Sequence, residues 1–136
     1  MNNKFKSILF IFISLSLGTL IYVLFRPPLS WFPTIPDWDK AIVDISWLPT
    51  PLSSFILYHL SDVMWALALS ETIFLIKKNL LFAVVMAFIL TVIFESMQYL
   101  KLVRGTGDIW DVIFVTISLL IYYFIRKRSL KNEKES

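Results

Sequence analysis

Within FESMQYLKLVRGTGDIWD, residues 94–111, the chain places Glu95, Gln98, Arg104, Asp108 and Asp111 close together. Carboxylates at such spacing can move protons, share a cation or hold a polar headgroup, and a nearby arginine can grip an anion such as phosphate. Glu95 and Gln98 stand at i and i+3, as do Asp108 and Asp111, so each pair projects from one face of a helix. Upstream, His59, Asp62 and Trp65 recur at three-residue intervals in HLSDVMW. Glu95 is the candidate catalytic base, and His59 is a further contributor to the cluster. Structural roles compete with these. Asp108 and Asp111 resemble a capping pair, Asp62 suits the positive start of a helix, and Glu95 could pair with Arg104 or Lys101. The lone His59 has no histidine partner with which to hold zinc, and no metal or cofactor is implied.

The elements that position these residues are apolar. Of 136 residues 57% are hydrophobic and 17% charged, too much apolar surface for one soluble core of that size. A helix needs roughly 20 apolar residues to cross a hydrocarbon core about 30 Å thick. The fold class expected is therefore all-α: an integral membrane four-helix bundle with a Pro/Trp-rich external loop, forming a single transmembrane domain over 1–136. The helices fall at about 7–25, 61–77, 80–100 and 109–126, with the loop at 26–58 and a charged, frayed tail at 127–136. Ser61 is the expected N-cap of the second helix, with a partly buried approach segment before it. The first stretch follows a basic start but leads into Arg26, Pro27 and Pro28 rather than a small-residue cleavage site, so it reads as a retained helix.

All six prolines lie between 27 and 51, which excludes a spanning helix there. Trp31, Trp38 and Trp47 favour the headgroup level, and DKAIVDISW could form a short interfacial helix. Gly105 and Gly107 would permit positive φ in the reversal between the last two helices. Glu71 sits deeper and on the opposite helix face from Asp62, within reach of Lys77, Lys78 or another helix. With four spans, nine basic residues fall on the side of both termini and four on the other, which puts the termini in the cytoplasm. The net charge of +3 is then a topology signal and no nucleic-acid partner is implied. The absence of cysteine removes disulfides and thiolate metal sites.

FESMQYLKLVRGTGDIWDVIF is similar to the signature region of VanZ-like membrane proteins: Glu-x-x-Gln closing one helix, then Arg, a short turn and Asp-x-x-Asp opening the next. HLSDVMWALAL resembles the family's earlier element. By position the matched residues are Asp62, Trp65, Glu95, Gln98, Arg104, Asp108 and Asp111, within about 59–118 of the chain. Val115 and Ser118 stand where many members carry Asn and Gly, the mark of a divergent, compact branch. The resemblance implies a multi-pass protein of the bacterial cytoplasmic (inner) membrane, in a family linked to glycopeptide antibiotic resistance. Its expected partners are membrane lipids, with a prenyl-phosphate or cell-wall precursor on the external polar cluster. Two other functions fit the same residues: a membrane-embedded hydrolase acting on a lipid phosphate, and a non-catalytic small subunit or assembly factor.

Overall fold

In the computed structural model the described residues are 3–25, 49–103 and 107–135. They form five helices and no strand: α1 (Asn3–Phe25), α2 (Thr50–Tyr58), α3 (Leu60–Lys77), α4 (Leu80–Tyr99) and α5 (Ile109–Glu135). The tryptophan-rich part of the expected loop and its short interfacial helix fall at 26–48, outside the described residues.

The packing is the inverse of a water-soluble protein. Many buried positions are small or polar: Ser7 and Ser14 on α1, Ser61, Ala66, Ala68 and Ser70 on α3, and Ala83 and Ala87 on α4, beside a few larger apolar ones, Val63, Phe74, Val84, Val115 and Leu119. Large side chains face outward, among them Ile8, Phe12, Ile76, Leu81, Phe124 and Ile125. Lipid tails are as apolar as leucine, so helices associate there by close packing of small residues rather than by hiding large ones. Gly18 shows how close. A Cβ built on it would lie 2.7 Å from Cδ1 and Nε1 of Trp65, so the α1–α3 seam has room only for glycine. Four hydroxyls within the helices meet their needs locally: Thr72, Thr91, Ser96 and Thr116 each donate to the carbonyl four residues back, at 2.6–3.0 Å.

Among the described residues three helices are long and apolar enough to cross a membrane: Lys4–Leu24, Leu80–Tyr99 and Ile109–Asn132. The fourth expected span departs from the simple reading. α3 carries Asp62, Glu71 and Lys77, too many charges to qualify alone, and the count rises to four only if α2 and α3, bent by 47°, are taken as one broken span. The charges are tolerable because α3 is central: it packs along α1 most extensively and also against α4 and α5. Residues 50–58, expected within the loop, are helical, because Pro51 occupies an early position where its missing N–H costs nothing. His59 ends α2 and precedes α3, so Ser61 lies inside the first turn with a fully buried hydroxyl rather than capping it. At the other end α5 continues to Glu135 through the expected tail.

Side-chain contacts fix the directions. Ser7 and Phe10 at the start of α1 meet Arg126 and Tyr122 near the end of α5. Tyr22 near the end of α1 meets Trp65 near the start of α3. The start of α1 and the end of α5 therefore lie together at one end, called here the Arg126 end. The start of α3, the end of α4 and the start of α5 lie at the other, the Glu95 end.

Candidate functional site

At the Glu95 end the first turn of α5 organises the cluster. Asp108 precedes the helix and accepts a hydrogen bond at Oδ1 from the Trp110 backbone N–H at 3.0 Å, so its capping role is real. In a capping box the residue at the third helical position would return the favour to the N–H of Asp108. Here Asp111 holds that position and turns elsewhere. The Asp108 N–H donates instead to Oε2 of Glu95 at 3.2 Å, across from α4. Glu95, 8% exposed, thus completes the cap of a different helix.

Gly107 makes this possible by close approach. Its Cβ, were there one, would fall 2.5 Å from the Tyr99 backbone N and 2.8 Å from the Glu95 carbonyl oxygen. The expected positive φ is not its reason; among the described residues of this reversal it is Lys101 that is left-handed, at φ 58°. Gly105 and Arg104 fall outside the described residues.

Asp111, 5% exposed, points to the break between α2 and α3, where its Oδ1 lies 2.6 Å from Nδ1 of His59. With Asp111 ionised, Nδ1–H donates and the second ring nitrogen carries the chemistry that remains. Aromatic rings enclose the pair. Phe114 lies 4.9 Å from the imidazole centroid and 4.9 Å from Phe55, with Phe55 and Tyr58 flanking the imidazole at 6.3 and 6.4 Å. His59, a peripheral contributor in the sequence reading, is one of the most tightly held members of the cluster.

Two apolar grooves converge on Glu95. One, about 650 Å³, opens between α4 and α5 and is lined by Val92, Glu95, Tyr99, Asp108 and Val112 among others. The second, about 420 Å³, lies between α3 and α4, with Asp62, Trp65, Leu69, Thr91 and Glu95 on its walls. Asp62 and Trp65 therefore do share surroundings with Glu95, though Trp65 is first a packing residue against Gly18 and Tyr22 of α1. Gln98 is partly buried near the end of α4 and lines neither groove. Asp108 and Asp111, expected to project together, instead part: the Asp108 carboxylate caps α5, and that of Asp111 meets His59 at the α2–α3 break. Among the described residues no group of three or more His, Cys, Asp or Glu side chains could hold a metal ion.

The sequence reading kept Glu71 apart from the cluster, and rightly, but left its partner open. Glu71 is 2% exposed and accepts hydrogen bonds from the Tyr122 hydroxyl and, at 3.0 Å, from Nη2 of Arg126; the same nitrogen donates to Ser7 Oγ at 2.9 Å. It thus joins α1, α3 and α5 at the Arg126 end rather than meeting Lys77 or Lys78. The signal available was complementarity: Tyr122 and Arg126 are one helical turn apart, at the end of α5 that must lie beside the end of α3.

No protein-family model, curated protein or solved structure matches the chain. The site's chemistry is therefore read from its own residues.

Proposed function

We propose that the chain is a VanZ-like, multi-pass protein of the bacterial cytoplasmic membrane. Its Glu95 end faces outward and holds the polar head of an envelope lipid or prenyl-linked cell-wall precursor. The observation that carries this reading is the placement of Glu95. One carboxylate oxygen is fixed by the Asp108 N–H, and the side chain borders two apolar grooves at once. An amphiphile suits such a place: its chain lies along groove walls such as Val92 and Leu69, while sugar hydroxyls or amines donate to Glu95 and Asp62. In this reading Lys101 and Arg104 meet the phosphate, offsetting the carboxylates.

The topology follows from counting α2 and α3 as one broken span, which puts both termini on one side. The contacts of Ser7 and Phe10 with Arg126 and Tyr122 support that count. The basic residues concentrate at this end, which the positive-inside rule assigns to the cytoplasm. A link to glycopeptide resistance would follow from engaging cell-wall precursors at the outer face.

The test is equilibrium binding of a prenyl-phosphate-linked sugar and of a neutral lipid to the purified protein. Preference for the former, weakened by Glu95→Gln and by Arg104→Ala, supports the reading. Equal binding of both, unaffected by either substitution, removes it.

A second reading, a hydrolase of lipid phosphates, is favoured by one observation: the enclosed His59–Asp111 pair, in which the carboxylate orients the imidazole for proton transfer. Turnover of prenyl-pyrophosphate or phospholipid that His59→Gln abolishes would establish it.

A further inference from the structure

The Glu71–Arg126 cluster at the opposite end belongs to no part of the site above. It borders a cavity of about 260 Å³ between α1 and α5, lined by Lys6, Ser7, Phe10, Glu71, Tyr122 and Arg126 among others. Three features bear on what could enter. Among the described residues on the wall the one carboxylate, Glu71, is engaged by Tyr122 and Arg126, so its charge is offset. Lys6 then gives the wall an excess positive charge. The guanidinium has five N–H donors, and its bonds to Ser7 and Glu71 both come from Nη2, while the enclosed Nε has no acceptor. The cluster thus offers more donors than the protein supplies acceptors.

The surroundings are as informative. α1 and α5 meet here through long side chains, Phe10 stacked on Tyr122 and Arg126 reaching Ser7. Phe10 and Ile125 line the same cavity and are exposed on the lipid-facing surface. A polar recess with a basic rim therefore opens beside an apolar wall on which an acyl chain can lie. Basic recesses between spanning helices suit lipid phosphates, where charge and chain are satisfied together.

We propose that this cavity is a headgroup site for a phosphorylated anion, filled by an anionic phospholipid of the leaflet at the Arg126 end. Its phosphate sits on Lys6 and the Arg126 side of the cluster, with Ser129 on the same wall. The bound lipid ties α1 to α5, which otherwise share few backbone neighbours.

The experiment is native mass spectrometry of the purified protein titrated with phosphatidylglycerol, with phosphatidylcholine, and with inorganic phosphate. Lys6→Gln is compared with Lys77→Gln, a substitution at the same end of the fold but off the cavity wall. Neither lysine takes part in the Glu71 bonds, so both variants should fold. The expected result is one phosphatidylglycerol bound in preference to phosphatidylcholine, weakened about fivefold by Lys6→Gln, the factor one basic residue contributes near a charged leaflet. Lys77→Gln should leave binding within about twofold of wild type, as loss of a charge outside the site requires. Inorganic phosphate bound equally well, and lost with Lys6→Gln, would keep the phosphoryl site but assign it to a soluble anion. Equal binding of both lipids, or equal loss in the two variants, overturns the proposal. Because Lys6 touches neither groove at Glu95, this failure is separable from failure of the outward-facing site.

Discussion

Replacing Gly107 by alanine adds a single methyl group at the point where the start of α5 rests on the end of α4. That methyl would sit 2.5 Å from the backbone N of Tyr99 and 2.8 Å from its Cα, against backbone atoms that cannot rotate away. Restoring an ordinary contact requires the two helix ends to part by roughly 1 Å, a change of the overpacking kind that costs about 1–3 kcal/mol. The bond from the Asp108 N–H to Glu95 is already 3.2 Å long, and that displacement would break it. Losing a hydrogen bond to a charged group adds about 1.5–3 kcal/mol. Partial relaxation makes the two overlap, so a net loss of about 2–4 kcal/mol is expected. The assay is reversible denaturation in mixed micelles, with Glu95→Gln alongside. Since the amide oxygen can still accept from Asp108, Glu95→Gln alone should cost about 1 kcal/mol. In the Gly107→Ala background it should cost less, because the bond to the Asp108 N–H is already gone. A Gly107→Ala protein within about 0.5 kcal/mol of wild type would refute the seating of α5 on α4.

Three further outcomes follow from the packing. Glu71→Gln leaves Arg126 without its charged partner in a buried setting, and denaturation should show a loss of about 3–5 kcal/mol. His59→Gln and Asp111→Asn should each destabilise, and a double-mutant cycle should return a coupling of about 1–3 kcal/mol; additivity would mean that the 2.6 Å contact contributes little. Gly18→Ala pushes against the Trp65 indole and should cost about 1–2 kcal/mol, read together with a change in Trp65 fluorescence as the ring shifts.

Much of the architecture was legible because lipid imposes a simple pattern. The apolar stretches fell where α1, α4 and α5 lie, and the grouping of Asp62, Glu95, Asp108 and Asp111 at one end followed from antiparallel succession alone. Less legible was anything decided between helices. No period in the sequence distinguishes Asp108 as a cap from Asp111 as the partner of His59, since that choice depends on which neighbour α5 meets on each side. The helical state of 50–58 was hidden by Pro49 and Pro51, which mark a loop unless one recognises a helix start. Glycine misled in a specific way: Gly107 was expected to supply a left-handed turn, whereas it supplies missing volume, and a positive φ falls instead on Lys101 among the described residues. For Glu71 the choice between Lys77, Lys78 and another helix stayed open because its partners lie 51 and 55 residues away, on a helix that touches it only after folding.

In the function proposed above, Glu95 and its two grooves hold the polar end of an outward-facing amphiphile. Its most direct test is photo-crosslinking in reconstituted vesicles, using a prenyl-phosphate-linked sugar with a photoactivatable group near the head and peptide mapping of the adducts. Labelling should concentrate on groove walls such as Val92, Val112 and Leu69 and fall sharply with Glu95→Gln. Labelling spread evenly over the exposed faces of α1 and α4, and unchanged by Glu95→Gln, would contradict it.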